Sequence, residues 1–255
     1  MRICQSDAVR NRRVLVTGSS RGIGRAIAER LARDGWSVAL HYAENRAEAE
    51  RVVASIGPRS QGLYQADLAN PAEATRLFQA ALADGPIHAL VNNAGVYRQM
   101  SFADAGDGEF EATLHKTFAV NFESPMRLCR AAVKAFAATG GGRILNVASR
   151  VGFRGEPGAA LYAASKAALI NLTRSLAVEL APKNIQIFGI APGWVDTAMS
   201  RDGMEERLAA ILETIPLGRM ASPADCAAAS AFLLSDDAAY LSGVVIDING
   251  ASYFH

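Results

Sequence analysis

The chain is predicted to be an α/β protein: a single doubly wound domain over residues 1–255, built on a seven-stranded parallel sheet with helices on both faces. Three observations predict it. Short β-branched runs alternate with longer helix-patterned stretches along the whole chain, the pattern of a parallel sheet covered on both sides. No Pro/Ser-rich linker, composition shift or internal repeat divides it. Half of the residues are hydrophobic and 20% are charged, which is enough apolar material for a sizeable core.

Taken in order, the expected strands occupy residues 13–17, 37–42, 62–66, 89–92, 143–148, 185–191 and 244–248. Helical signals fill the gaps. Ile23, Ile27 and Leu31 recur at helical spacing after the first strand. Asn70-Pro71 followed by Glu73 reads as an N-cap, a proline at the first helical position and a capping glutamate. Ser222-Pro223 followed by Asp225 repeats that logic with a shorter acid. Ligands on such a sheet bind beyond the carboxyl ends of the strands, where the strand order reverses. Chemistry-bearing residues should therefore follow strands directly.

Composition excludes several classes. A formal net charge of +1 leaves no electrostatic footprint for nucleic acid or an anionic membrane. Cys4, Cys129 and Cys226 are odd in number and far apart, fitting neither a disulfide framework nor a zinc site. They are expected to be buried free thiols, and no metal is expected. The opening "MRICQSDAVRNRR" lacks the apolar core of a signal peptide, and no apolar run is long enough to span a bilayer. Residues 1–12 are expected to form a flexible extension, and the protein to be cytoplasmic.

Two stretches carry chemistry. Residues 14–31, "VLVTGSSRGIGRAIAERL", read as strand, glycine-rich turn and helix. Gly18, Gly22 and Gly24 suit a tight turn and close approach of backbone to a ligand. The helix start offers free N–H groups and a positive dipole end to a pyrophosphate. Glycine alone also serves ordinary turns, so the flanking strand and helix are what point to a dinucleotide. Residues 161–169, "LYAASKAAL", place Tyr162 and Lys166 one helical turn apart on one face. By itself the pair suits a core tyrosine beside a lysine that snorkels to water. In company with the glycine turn it suits a tuned proton donor: tyrosine titrates near 10 when free, and a neighbouring ammonium favours its phenolate.

Together these motifs resemble the short-chain dehydrogenase/reductase family. Residues 17–24 are similar to its cofactor signature, and Tyr162-x-x-x-Lys166 to its active-site signature. "NNAG" at 92–95, Ser149 thirteen positions before the tyrosine, "PGWVDT" at 192–197 and Asn121 in "FAVNFESP" follow in the family's order. The pattern and length are close to bacterial 3-oxoacyl-[acyl-carrier-protein] reductases, and sugar, steroid and alcohol dehydrogenases share them. The resemblance implies a Rossmann-like fold and a hydride transfer between a nicotinamide cofactor and a carbonyl or secondary alcohol. It implies Tyr162 as general acid/base, Ser149 as holder of the substrate oxygen, and Lys166 as partner of the nicotinamide ribose. Asn121 would hold a water that relays protons, or simply bond local backbone. Gly18, Ser20, Arg21, Gly22, Ile23 and Gly24 would form the phosphate turn. Asn93, Ala94 and Gly95 would border the adenosine ribose, and Pro192, Gly193, Val195 and Thr197 would line the nicotinamide. Asp67, with Leu68 beside it, would meet the adenine or instead form an Asx turn leading into Asn70.

Cofactor choice turns on the end of the second strand, where an NAD-preferring enzyme carries an acid. Tyr42 holds that position. Arg21 and Arg46 suit a 2′-phosphate and Glu44 opposes one, so NADP(H) is favoured and NAD(H) stays possible. Tyr97, Arg150, Phe153, Arg154, Trp194 and a lid over 198–215 are candidate substrate walls. Arg150 and Arg154 suit an anionic substrate, or more simply the surface or a subunit contact. The family also implies a homotetramer or homodimer with the tail "DINGASYFH" at an interface. The competing readings are a catalytically silent dinucleotide-binding regulator on the same fold, and a methyltransferase.

Overall fold

The computed structural model describes residues 12–201 and 208–255. Its strands are β1 (Arg13–Val16), β2 (Ser37–Tyr42), β3 (Ser60–Gln65), β4 (Ala89–Asn92), β5 (Gly142–Val147), β6 (Ile185–Pro192) and β7 (Val245–Ile248). They form one sheet in the order β3-β2-β1-β4-β5-β6-β7, and every neighbouring pair is parallel. The helices are α1 (Gly22–Arg33), α2 (Arg46–Ile56), α3 (Pro71–Ala83), α4 (Asp107–Phe118), α5 (Ser124–Thr139), α6 (Ala160–Leu180), α7 (Ala198–Arg201), α8 (Leu208–Glu213) and α9 (Pro223–Leu233). The N-terminal residues 1–11 with Cys4, and residues 202–207 of the expected lid, lie outside the described residues.

Alternation along the strands builds two cores. Val14 and Val16 pack with Ile27 and Leu31 of α1, Val52 of α2 and Leu233 of α9 on one face. Leu15, between them, packs with Leu77 and Phe78 of α3, Leu128 and Phe136 of α5 and Leu180 of α6 on the other. Successive side chains of a strand point to opposite faces, so a sheet buried on both sides reads as a continuous apolar run. That is why the strands were visible in the sequence. The largest offset is at β3, whose pairing reaches back to Ser60 opposite Val38 across a register shift. A polar edge-strand start of this kind has no apolar signature.

The two expected caps form differently. Asn70 accepts the Ala72 N–H at 3.2 Å, and Pro71 takes the first helical position. Glu73, however, turns to Arg76 three residues on, its Oε1 accepting from Nε at 3.0 Å, instead of reaching back to the cap. Ser222 and Asp225 make the full reciprocal box: Ser222 Oγ accepts the Asp225 N–H at 3.2 Å, and Asp225 Oδ2 accepts the Ser222 N–H at 2.7 Å. Arg219 beside it, with these bonds, holds the Asp225 carboxyl well below the usual carboxylate range. Cys129 and Cys226 are buried free thiols that burial pushes up to about 12. Among the described residues no helix is long and apolar enough to cross a membrane. Ser222→Ala should cost about 1 kcal/mol, read as a lower denaturant midpoint at unchanged slope; an unmoved midpoint would show that the box contributes nothing.

Candidate active site

Strand order reverses at β1, which lies between β2 and β4, and the segments leaving β1 and β4 interlock there. The Thr17 hydroxyl accepts the Asn93 N–H at 2.9 Å and the Ala94 N–H at 3.0 Å. Asn93 Nδ2 in turn donates to the Thr17 carbonyl at 2.8 Å and the Gly18 carbonyl at 3.1 Å. The glycine turn and the "NNAG" segment are thus one structure. Gly18 has φ +61°, and a Cβ on it would stand 3.0 Å from the Ala94 Cα. At Gly24 a Cβ would fall 2.3 Å from the Gly18 carbonyl oxygen. No side chain larger than hydrogen fits where helix and turn touch.

These residues fit a dinucleotide. The entry to α1 has no side-chain cap, Arg21 is extended, and the first turn holds no acid. Its first N–H groups are left for an anion, which the helix dipole also favours. Gly22 faces Thr197, whose Cγ2 would lie 3.5 Å from a Cβ placed there, so the 192–197 segment after β6 closes the other side. Gly193 N–H bonds the Ile248 carbonyl at 2.9 Å, and Ser200 holds Val195 and Thr197 through backbone carbonyls. Tyr42 ends β2, buried, and bonds Arg46, whose Nε also meets Glu50 Oε1 at 2.8 Å. Ser20 and Ile23 sit in the turn and first helical turn as expected. Asp67 forms an Asx turn, its Oδ1 accepting the Ala69 N–H at 2.9 Å; its carboxylate is exposed beside buried Leu68.

The four catalytic candidates meet beyond β5. Tyr162 and Lys166 occupy the first two turns of α6, with Lys166 Nζ 5.6 Å from the tyrosine ring centroid. Lys166 is 3% exposed, and its amine donates to the Val147 carbonyl at 2.8 Å. Ser149 stands two residues beyond Val147, and its side chain hydrogen-bonds Tyr162. A Cβ on Gly95 would lie 3.4 Å from Asn121 Oδ1 and 3.6 Å from Lys166 Nζ, which brings the asparagine into the same cluster. Asn121 lies in a π-helical turn, Ala119–Glu123, between α4 and α5. Such a turn redirects a helical side chain and often marks a functional site. Its amide bonds both backbone groups of Val96 at 2.9 Å and Ser165 Oγ at 3.2 Å. The local-backbone role is therefore present.

The electrostatics differ from the sequence expectation. Burial dominates both partners: it pushes Tyr162 up to about 12, against the pull of the Ser149 hydrogen bond, and Lys166 down to about 8. Lys166 spends its bond on a carbonyl, not on the phenol, so proximity along the helix does not by itself lower the tyrosine. Tyr97 packs edge-on against Tyr162 with centroids 5.0 Å apart.

Arg150 is a second correction. It is 4% exposed, not a surface residue: Nη1 donates to Ser252 Oγ at 2.9 Å and Nη2 to Glu156 Oε2 at 3.3 Å. The tail folds over the same loop, with His255 stacked on Phe153 at 3.7 Å and Arg154 over Tyr253. A cavity of about 270 Å³ is lined by Trp194, Ile215, Leu217, Ile248 and Asn249; neither Ser149 nor Tyr162 lines it. Thr17 opens the glycine signature but has no role of its own legible there, and Ser165 does not stand out, because a lone hydroxyl has no pattern until its partners fold onto it.

A family model described as enoyl-(acyl carrier protein) reductase matches residues 18–251. The chain belongs to the short-chain dehydrogenase/reductase family and is an NAD(P)-dependent oxidoreductase. Within the family it is similar to the 3-oxoacyl-[acyl-carrier-protein] reductase of Escherichia coli (strain K12), 38% identical over 240 residues that cover 94% of this chain and 96% of that one. Nodulation protein G of Rhizobium sp. (strain N33) is 39% identical over 94% of this chain and 96% of its own. Among solved structures, a short chain dehydrogenase from Burkholderia cenocepacia J2315 in complex with NADP is 34% identical with TM-score 0.86, covering 94% of this chain and 97% of that one. A 3-ketoacyl-(acyl-carrier-protein) reductase from Brucella melitensis complexed with NADH is 31% identical with TM-score 0.86, covering 95% of this chain and 98% of that one.

Proposed function

We propose that this chain transfers hydride between NADP(H), preferred over NAD(H), and a carbonyl or secondary alcohol, with Tyr162 as the general acid/base. The observation that carries the reading is the convergence of Ser149, Tyr162 and Lys166 at the carboxyl end of β5, beside an uncapped helix start built for a pyrophosphate. The nicotinamide, when bound, supplies or accepts the hydride and, when oxidised, a positive charge. In the reducing direction the Tyr162 hydroxyl gives its proton to the substrate oxygen while Ser149 donates a hydrogen bond that steadies the charge developing there. A phenol that burial holds in its protonated form is ready for that donation at neutral pH. Lys166 lends the buried positive charge that makes the resulting phenolate tolerable. Asn121 holds a water that relays protons between Lys166 and solvent, inward in this direction to restore the Tyr162 hydroxyl and outward in the reverse, a role compatible with its backbone bonds because a carbonyl oxygen accepts more than once.

NADP(H) is preferred because Tyr42, not an acid, ends β2 and bonds Arg46, and because Arg21 opens α1 with a second positive charge for a 2′-phosphate. The relatives' names make a 3-oxoacyl thioester the first substrate to try. The apolar surface at Val178 (81% exposed), Tyr240 (103%) and Phe254 (77%) favours a homotetramer or homodimer, and the free thiols of Cys129 and Cys226 suit the reducing cytoplasm.

Tyr162→Phe should lose at least about 100-fold in turnover of an acetoacetyl thioester while still binding NADPH, as expected on removing a general acid. Undiminished turnover would remove Tyr162 from the chemistry. Thermal-shift titrations with NADPH and NADH side by side should raise the melting temperature more for NADPH, since a ligand specific for the folded chain stabilises it according to its affinity. A larger rise with NADH would make Glu44 the ribose ligand and reverse the preference.

A further inference from the structure

His41 lies inside β2 among Val38, Ala39, Leu40 and Tyr42, and is 1% exposed. A histidine in the middle of a buried strand is costly unless both ring nitrogens find partners. Here they do, and the partners lie on the two neighbouring strands' exits. Nδ1 accepts the Gly18 N–H at 3.0 Å, and Nε2 stands 3.0 Å from the Ala66 carbonyl oxygen. A carbonyl can only accept, so Nε2 carries the proton and Nδ1 keeps its lone pair for Gly18. Burial pushes the ring down to about 4, which keeps it neutral. The backbone of the same residue binds the next one: the Ser19 N–H and hydroxyl both donate to the His41 carbonyl, at 2.9 and 3.1 Å, and the His41 N–H donates back to Ser19 Oγ at 3.0 Å.

We propose that His41 is a positioning residue for dinucleotide binding: its ring and backbone hold Gly18 and Ser19 in the conformation that aims the glycine turn, and its other face ties that turn to the segment carrying Asp67 and Leu68. The assignment rests on the nicotinamide reading given above. The physical reason is specific. Gly18 sits at φ +61°, a conformation glycine adopts freely and leaves freely, so something outside the turn must select it. The Gly18 N–H is thereby committed to the ring and withheld from the phosphates, which leaves recognition to the uncapped N–H groups at the start of α1. Ala66 is the last residue before Asp67, so one side chain sets the distance between the pyrophosphate and adenine ends of the proposed site.

Two amides separate this role from plain packing. In His41→Asn the side-chain oxygen stands where Nδ1 stood and still accepts from Gly18. In His41→Gln the amide nitrogen stands where Nε2 stood, keeping the Ala66 bond and losing the Gly18 acceptor. NADPH binding is followed by the fluorescence of the reduced nicotinamide, and the melting temperature of each ligand-free protein is measured alongside. His41→Asn should bind NADPH within about threefold of wild type and His41→Gln about tenfold more weakly, the size expected for one buried hydrogen bond, while both melt lower than wild type. Equal affinities for the two variants, or the reverse order, would overturn the assignment and leave His41 as packing alone. Wild-type protein that bound neither NADPH nor NADH would instead overturn the nicotinamide reading, and this assignment with it.

Discussion

One buried ammonium organises this site. Lys166 is almost wholly enclosed, and a charge in that position is tolerable only with a strong acceptor in reach. The Val147 carbonyl provides it at 2.8 Å, at the last residue of β5 and two residues before Ser149. The bond therefore joins α6 to the strand that delivers the serine. Tyr162 follows from it, one turn back along the helix, and Asn121 and Gly95 close around the amine from the other side. Remove the amine and the helix bearing the tyrosine loses its bond to the last residue of β5, while the deeper one from Asn146 Nδ2 to Thr173 Oγ1 at 2.9 Å and that between Tyr162 and Ser149 remain.

The same logic recurs at the cofactor end, with hydroxyl and imidazole groups in place of an ammonium. Thr17 binds the glycine turn to the segment after β4, and His41 binds it to the segment after β3. A turn made of glycines has little conformational preference of its own; its shape is imposed by three neighbouring strands. A parallel sheet is suited to this, because it brings the carboxyl ends of strands distant in sequence to one edge. The seven-stranded order places β1 at the reversal, between β2 and β4.

Much of this was legible in the sequence. Apolar runs in a two-sided sheet announce their strands, and the glycine turn, Tyr162, Lys166 and Ser149 fell just after β1 and β5 or at the start of α6, as motif spacing implied. What was not legible depended on partners brought together only by folding. Lys166 points its charge at a carbonyl and burial lifts Tyr162, so helical spacing alone overstated the lysine's influence. Arg150 reads as a surface residue until the tail covers it. His41 interrupts an apolar run, a visible anomaly, but its two partners lie 23 and 25 residues away along the chain.

Under the proposed function, the buried site holds Tyr162 protonated, and the charge of an oxidised nicotinamide, acting with Lys166, would bring it into working range. The direct measurement is the phenolate absorbance of Tyr162, taken as the difference between wild type and Tyr162→Phe across an alkaline titration, with and without saturating NADP⁺. The expected midpoint is near 12 without cofactor and well below the ordinary tyrosine value of about 10 with it. An identical midpoint in both titrations would contradict it.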